Sequence, residues 1–277
     1  MNATKLIAGV HSLPSLPAVV LKVQSAIAAN EKRAEIARVI EQDPVLAARL
    51  LRAANSSFFG VRSPIRSIDK ALVLLGVNMV RNLLVMTAVH GTLRRFRLAP
   101  SFSLMHYWEH SLTTAVMAKL MSQRTSSISA DDAFVAGLLH DLGEITLASL
   151  FPDERAVVLA PSFGSDLALE ARTFGYDHVE VGVAIAEQWA LPDFVVEGIR
   201  FHHDPAATSP LARLLRAADA LALWVVEQRV EEGHEERPIE PLPDIVTLTL
   251  GADIGSAGSI AQEAQRAFAE ASALAAG

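Results

Sequence analysis

A histidine and an aspartate stand next to each other at His140 and Asp141, at the end of an apolar run that starts at Ala136. Such a pair places a nitrogen and an oxygen ligand within reach of one cation. Because the chain contains no cysteine, a site at this pair would favour iron, manganese, magnesium or zinc over a metal held by thiolates. Other imidazoles and carboxylates recur where a metal cage would need them, at His110, His178, His202, His203 and Asp219.

Each of these residues also has a plainer interpretation. A single histidine in a helical protein is more often a packing or surface residue than a metal ligand. The group differs, because several buried imidazoles and two carboxylates without partners would cost several kcal/mol of desolvation. One or two divalent ions would offset that cost, and so would a network of mutual hydrogen bonds that keeps the helices in register. The residues alone leave both interpretations open.

The composition is that of a globular chain. With 277 residues, 51% of them hydrophobic and 20% charged, it can bury a large core in one large or two medium domains. The absence of cysteine fits a reducing compartment. Residues 1–10 lack the pattern of a secretion signal, and the apolar segment 71–89 is interrupted by Asn78, Arg81 and Asn82. We therefore expect a cytoplasmic protein with no membrane-spanning segment.

Charge is divided unevenly along the chain. The first hundred residues carry 14 basic and 5 acidic side chains, whereas the remainder carries 10 basic and 26 acidic ones. Two segments of opposite charge indicate two structural units, which we place at residues 1–98 and 99–277. Among the arginines of the first unit only Arg94, Arg95 and Arg97 cluster, so we do not expect nucleic-acid binding.

Hydrophobic periodicity indicates helices along almost the whole chain. Asp43, which precedes a proline, and Ser67 are typical of a helix start, and Gly76 is typical of a helix end. Asp177 and Ser209 are equally suited to cap the helices that follow them. In the second half the pattern predicts helices at about 101–122, 130–150, 166–174, 177–190, 192–203 and 209–231.

The last part of the chain is less regular. Residues 245–250 alternate in a way that suits either a short strand or the start of a helix. The charged and proline-rich segment 231–243 is typical of a loop, and the alanine-rich segment 259–275 is typical of a terminal helix. Since no strand pattern persists elsewhere, the sequence predicts an all-α fold.

Several short motifs follow one another in the first half, namely Leu13-Pro14-Ser15-Leu16-Pro17, Asp43-Pro44-Val45-Leu46, Arg49-Leu50-Leu51-Arg52-Ala53-Ala54-Asn55-Ser56, Phe59-Gly60, Ile68 through Leu75-Gly76, and Val80-Arg81. Together and in this order they resemble the HDOD domain of bacterial signalling proteins, over about residues 13–230. The resemblance implies an N-terminal helical bundle packed on a second bundle related to the HD phosphohydrolases. Without it, domain packing explains this signature better than ligand binding does.

The second half resembles the HD bundle in its metal ligands. In HD enzymes a histidine on an early helix, a His-Asp pair and a late aspartate hold one metal ion. The resemblance implies this role for His110, His140, Asp141 and Asp219, which together form a complete set of four ligands.

A second set of ligands resembles that of the HD-GYP phosphodiesterases. These enzymes add a histidine followed by a helix-packing glycine, and a His-His pair, to hold a second metal ion that the aspartate bridges. The resemblance implies that His178, with Gly182 after it, joins His202 and His203 in holding a second ion, and that Asp141 is the bridge.

Two features depart from the HD-GYP pattern. Glu144 stands where those enzymes have a lysine three residues after the aspartate of the pair, so an anion replaces a cation that attracts phosphate. The Gly-Tyr-Pro loop is also missing, since Asp204 is followed by a different sequence. Both departures argue against recognition of cyclic di-GMP.

Two functions of different classes follow. The first, which we favour, is a regulatory signalling module that acts through a partner protein, lacks strong catalytic activity and uses its metal-binding pocket for sensing or stability. The second is a metal-dependent phosphohydrolase that acts on a nucleotide or another phosphorylated small molecule. The missing loop and Glu144 favour the first function, and the complete ligand set favours the second. Glu109, Asp177 and Asp204 are candidates to orient the ligands.

Overall fold

The structure is a computed structural model that describes residues 9–55, 63–98, 102–125, 128–151, 166–231 and 244–250, together with Ser259 and Gln262. Within these residues every regular element is a helix, which confirms the all-α prediction. The helices are α1 Ala18–Ala28, α2 Arg33–Glu41, α3 Pro44–Ala54, α4 Ile68–Leu74, α5 Gly76–Leu93, α6 Leu104–Thr125, α7 Ala130–Leu139, α8 Leu142–Leu150, α9 Leu167–Phe174, α10 His178–Gln188, α11 Asp193–Phe201, α12 Pro210–Glu231 and α13 Asp244–Leu250.

The chain divides into two compact units. The first bundle comprises the described residues of Leu13–Phe96, with helices α1 to α5. The second bundle comprises the described residues of Met1–Ser12 and Arg97–Ala269, with helices α6 to α13. The domain limits that the sequence predicts, 1–98 and 99–277, stay a prediction.

Local signals set the helix ends of the first bundle. The Asp43 carboxylate accepts a hydrogen bond from the Leu46 amide at 3.0 Å, with a proline in the first turn of α3, as predicted. Ser67 caps α4 in the same way. Gly76 separates α4 from α5 with a φ of +83°, a conformation that glycine adopts without strain. Buried side chains that include Ile40, Leu50, Ile68, Leu72 and Leu84 form the core of this bundle.

The second bundle is built around α6, which packs on α7 and α12. Helix α8 packs on α10, and α11 contacts α7, α10 and α12. Asp177 begins α10 with a capping box to Glu180, and the Ser209 hydroxyl accepts from the Ala212 amide at 3.0 Å, so both predicted caps are present. The core includes the fully buried side chains of Met117, Met121, Leu139 and Leu142.

The single helix predicted at 130–150 is two helices. Helix α7 ends at Leu139, His140 is its C-cap, and α8 begins at Leu142. Asp141 has a φ of −95° and a ψ of +23°, which lies outside the helical region and turns the chain between them. Hydrophobic periodicity continues through this turn because both helices are buried, so the sequence pattern does not reveal it.

The remaining predictions concern the end of the chain. Residues 245–250 belong to α13, so the helical alternative is correct and the strand is not. Of the predicted terminal helix at 259–275, Ser259 and Gln262 are described and both are helical. The rest of that helix, the predicted loop from 232 onward and Phe59-Gly60 lie outside the described residues.

One segment, Ala130–Leu150, is long and apolar enough to cross a membrane by length and composition alone. In the protein, 83% of an 18-residue window within this segment is buried. The segment itself comprises the two helices α7 and α8. Core helices of soluble proteins share this character. The segment therefore belongs to the core of the second bundle.

Candidate metal centre

Five elements of the second bundle bring the predicted ligands together. His110 lies on α6, His140 and Asp141 form the turn between α7 and α8, and His178 is the first residue of α10. His202 is the C-cap of α11, with His203 directly after it, and Asp219 lies on α12. We call these seven residues the Asp141 cluster.

One half of the cluster lies around His110. Its Nε2 atom is 3.1 Å from Asp219 Oδ1, 3.2 Å from Asp141 Oδ2 and 3.3 Å from His140 Nε2. The Nε2 atom of His140 is 3.1 Å from Asp141 Oδ2 and 3.6 Å from Asp219 Oδ1. Two ring nitrogens and two carboxylate oxygens therefore lie close together.

The other half of the cluster faces the second oxygen of the same aspartate. Asp141 Oδ1 is 3.3 Å from His202 Nε2 and 3.7 Å from His178 Nε2, and these two nitrogens are 3.3 Å apart. The ring centroid of His203 lies 4.1 Å from that of His202 and 5.0 Å from that of His178. The two oxygens of Asp141 thus face different imidazoles, and the two groups adjoin, since the ring centroids of His140 and His202 are 5.0 Å apart.

The turn residues of α7 and α11 hold their rings in the same way. The Nδ1–H of His140 donates to the Gly137 carbonyl at 2.7 Å, and the Nδ1–H of His202 donates to the Ile199 carbonyl at 2.7 Å. Because a carbonyl oxygen can only accept, the hydrogen of the neutral ring sits on Nδ1 in both cases. The Nε2 lone pair is left for a cation, as in metal-ligating histidines.

Glu170 orients a third ring and was not predicted from the sequence. Its Oε2 atom accepts from both the backbone N–H and the Nδ1–H of His178, each at 2.8 Å. The carboxylate is buried, with 3% of the residue exposed. In the sequence, the available signal was an acidic residue eight positions before a candidate ligand. Glu170 lies on an amphipathic helix, however, and the pattern there suggests a solvated side chain.

Two of the residues proposed to orient ligands act as backbone caps. Asp177 accepts from the Glu180 amide at 2.8 Å and begins α10. Asp204 accepts from the Ala206 amide at 2.8 Å. Both carboxylates therefore stabilise turns next to the cluster, whereas the carboxylate of Glu170 bonds a ring of the cluster directly. Short polar side chains next to a turn commonly bond the backbone, which explains their positions.

Two glycines let α8 and α10 approach closely beside the cluster. A Cβ atom on Gly143 would collide with the backbone carbonyl of His178 and lie 2.8 Å from the Gly182 nitrogen. A Cβ atom on Gly182 would lie 2.8 Å from Ile199 Cγ2 and 3.0 Å from the Gly143 nitrogen. The glycine four residues after His178 therefore packs helices, in agreement with the sequence analysis.

The aspartates of the cluster favour the protonated forms of His110 and His140. Burial acts to lower the pKa of His110, but hydrogen bonds to the two aspartates outweigh it and raise the pKa to about 9. Burial also acts to lower the pKa of His140, but the charges and hydrogen bonds of Asp141 and Asp219 outweigh it and raise the pKa to about 10. Burial alone would raise the pKa values of Asp141 and Asp219. The neighbouring imidazoles nevertheless hold both pKa values well below the usual range.

On the other side of the cluster, the pKa values of His202 and His203 are lowered, which favours their neutral form. Burial lowers the pKa of His202, and the hydrogen bond to Asp141 only partly opposes it. Burial and then repulsion from His202 and His178 lower the pKa of His203 to about 3. Unprotonated rings are the form that binds metal.

Tyr107 is a further group near the cluster that the sequence analysis missed. It lies on α6, three residues before His110, and is buried. Burial, followed by the charge of Asp141, raises the pKa of its phenol. The hydroxyl therefore keeps its proton and remains a hydrogen-bond donor throughout the ordinary pH range.

The donor set fits a metal ion. The ligand atoms of His110, His140 and Asp141 lie within 4.8 Å of one another, and so do those of Asp141, His178, His202 and His203. All of these residues except His203 are buried, and so is Asp219. Imidazole nitrogen and carboxylate oxygen suit divalent transition metals. These buried groups could hold a metal ion, and Asp141 belongs to both sets.

Comparison with known proteins identifies the family. A model of the HDOD domain matches residues 13–205, which is more than half of the chain. The chain belongs to the HDOD domain family. The match includes six residues of the Asp141 cluster and ends before Asp219, although Asp219 contacts both His110 and His140.

Solved structures and curated proteins resemble this HDOD chain. A candidate phosphohydrolase from Shewanella amazonensis is 25% identical, with a TM-score of 0.72 and 96% of both chains covered. A candidate signal transduction protein from Marinobacter aquaeolei is 27% identical, with a TM-score of 0.72, over 96% of this chain and 59% of that one. Ribonuclease Y from Thermus thermophilus is 33% identical over 115 residues, which are 41% of this chain and 16% of that protein. The chain spans 16% to 40% of the length of the curated relatives that it matches.

Proposed function

We propose that the chain is a cytoplasmic HDOD regulatory module whose second bundle holds one or two divalent metal ions and acts on a partner protein. The observation that carries the metal-binding part is the position of Asp141, whose two oxygens face different imidazoles. The likeness to the candidate signal transduction protein supports the regulatory part. The absence of cysteine supports the cytoplasm.

Each ligand has a defined task in this proposal. His110, His140 and Asp219 would hold one ion, His178, His202 and His203 would hold a second, and Asp141 would serve both. Glu170 and the carbonyls of Gly137 and Ile199 fix the ring orientations. A bound divalent ion would act as a Lewis acid toward phosphate oxygen and lower the pKa of a bound water.

Two features support sensing or stability over rapid turnover. All of the proposed ligands except His203 are nearly closed to solvent, with Asp141 at 9% and His140, His178 and His202 at 0% exposure. The carboxylate of Glu144 lies within 4.8 Å of the ligand atoms of Glu170 and His178. An anion at this position disfavours the approach of a phosphate group.

Metal analysis of the purified chain tests the metal site. Protein prepared without chelator should contain a stoichiometric transition metal, and His140→Ala and Asp141→Ala should lose it. Glu187→Ala, an exposed position on α10, is the control and should keep the metal. Absence of metal from the parent protein, even after incubation with manganese, iron and zinc salts, would contradict the proposal.

Capture of a partner tests the regulatory part. The metal-loaded chain and the Asp141→Ala variant are used as baits with extracts of the source cells. A partner protein should bind the two baits with different affinity, because the metal changes the state of the second bundle. Partners that bind both baits equally would argue against a role of the metal in signalling.

A second candidate function is a metal-dependent phosphohydrolase that acts on a nucleotide or another phosphorylated small molecule. The complete ligand set around Asp141 favours it, and so does the likeness to the candidate phosphohydrolase and to ribonuclease Y. Turnover of bis(p-nitrophenyl) phosphate by the metal-loaded parent, lost in His140→Ala and Asp141→Ala, would establish this function. Stoichiometric metal without turnover would favour the regulatory module.

A further inference from the structure

A cavity of about 440 Å³ lies within the first bundle, apart from the residues of the Asp141 cluster. The segment before α1, the first turns of α3 and the last turns of α5 surround it. Cavities of roughly 300–1,000 Å³ are the size range of small-molecule sites. Residues of the HDOD signature, Leu16, Asp43 and Arg49 among them, lie in its wall.

Two arginines from different elements line this cavity. Arg49 extends from α3, and Arg95 follows α5. Arg95 Nη2 donates to the Ser15 carbonyl at 3.2 Å, which ties it to the segment before α1. A Cβ atom on Gly91 would collide with Arg49 Nη1, so the glycine makes room for this guanidinium. Within the described part of the chain, neither arginine forms an ion pair with a carboxylate.

The surroundings of the cavity are positive. Asp43 is the one acidic residue of the wall, and its carboxylate accepts a hydrogen bond from the Leu46 amide as the cap of α3. Burial, followed by the charges of Arg94 and Arg49, lowers the pKa of the neighbouring His90. Residues 13–96 carry 12 basic and 5 acidic side chains, and such an excess attracts anions.

We propose that this cavity binds a small phosphorylated molecule, with Arg49 and Arg95 holding its phosphate group. The planar guanidinium donates paired hydrogen bonds that match phosphate oxygens, and two of them balance the double charge of a phosphate monoester. The hydroxyls of Ser15 and Thr92, which also line the cavity, add neutral donors. This site is independent of the metal proposed for the second bundle.

Calorimetric titration of the full chain in EDTA tests the site, with pyrophosphate and adenosine 5′-monophosphate as probes. EDTA removes metal from the Asp141 cluster, and the Asp141→Ala variant serves as a second safeguard. At least one probe should bind both proteins with equal affinity. Arg49→Gln and Arg95→Gln should each weaken that binding by about tenfold or more, since each loses a hydrogen bond to a charged group.

Matched variants separate charge at the cavity from charge elsewhere. Arg52→Gln removes an exposed arginine of α3 that does not line the cavity, and it should leave the affinity unchanged. Arg49→Lys keeps the charge but loses the paired donors, so its affinity should lie between those of the parent and Arg49→Gln. Circular dichroism confirms folding, and if one glutamine variant fails to fold, the other carries the test.

Three results would overturn the proposal. The first is that neither probe binds the parent protein at millimolar concentration. The second is that a probe binds the parent and both glutamine variants equally. The third is that succinate, a dicarboxylate without phosphate, binds as tightly as the two probes. None of these results bears on the metal content of the second bundle.

Discussion

Glu170 fixes the direction of one imidazole of the Asp141 cluster through two hydrogen bonds to His178. Glu170→Gln removes the charge and turns one oxygen into an amide nitrogen, so it weakens this support. We expect the affinity for the ion held by His178, His202 and His203 to fall about 10- to 100-fold. Titration with manganese in a calorimeter measures it.

The control for Glu170 is Glu187→Gln. Glu187 is an exposed carboxylate that pairs with Arg200 at 2.7 Å on the surface, and such pairs contribute little to stability. The affinity of this variant should equal that of the parent. If Glu170→Gln and Glu187→Gln bind manganese equally well, Glu170 does not position the ligand.

Protons compete with metal at the other side of the cluster. In the metal-free protein the pKa of His110 is raised to about 9 and that of His140 to about 10. Because metal binds only the unprotonated ring, each of these ligands must lose its proton. The apparent affinity should therefore rise with pH until the pH passes these values, and binding at neutral pH should release protons.

Calorimetry in two buffers of different protonation enthalpy counts the protons released when the metal binds. Binding that releases no protons, or whose affinity is the same at pH 6 and at pH 9, would contradict the protonated state of this pair.

At the scale of elements, the close contact of α8 and α10 depends on glycine. Gly182→Ala places a methyl group 2.8 Å from Ile199 Cγ2 and 3.0 Å from the Gly143 nitrogen. In an exposed helix this substitution would stabilise the protein by about 1 kcal/mol. Here we expect the free energy of unfolding to fall by about 1–3 kcal/mol, because the core is overpacked.

Urea denaturation in EDTA measures this change without a contribution from metal. Glu187→Ala, an exposed change on the same helix, should shift the free energy of unfolding by no more than about 0.5 kcal/mol. A more stable Gly182→Ala variant would show that α8 and α10 do not pack as closely as described.

The elements that the sequence predicted well are those with local signals. Asp43, Ser67, Asp177 and Ser209 cap helices where their types indicated, because a cap depends on the few residues that follow it. The break at His140-Asp141 was missed, since both flanking helices are buried and apolar. Glu170 was missed because its partner lies across a turn, and a contact between two helices leaves no periodic pattern in the sequence.

At the scale of the whole molecule, the meeting of ligands from α6, α7, α10, α11 and α12 could not be derived from spacing. The residues between His110 and Asp219 allow many arrangements of helices, and side-chain types alone left a metal site and a hydrogen-bond network equally open. The resemblance to the HD bundle supplied the arrangement. The structure adds the distances and the shared position of Asp141.

Metal should stabilise the second bundle because the ligands meet only in the folded chain. A ligand that binds only the folded state adds a stability that depends on its concentration, about 2.7 kcal/mol at a hundredfold excess over Kd. For a unit of this size we expect Tm to rise by about 5–10 °C in saturating manganese or zinc. Asp141→Ala removes the ligand shared by both groups and should abolish the rise, whereas Arg52→Gln in the first bundle should preserve it. Hydrogen exchange should locate the added protection in α6, α7, α10, α11 and α12. An equal rise of Tm in Asp141→Ala would mean that the metal binds elsewhere, and the cluster would then be a hydrogen-bonded network that holds the five elements together.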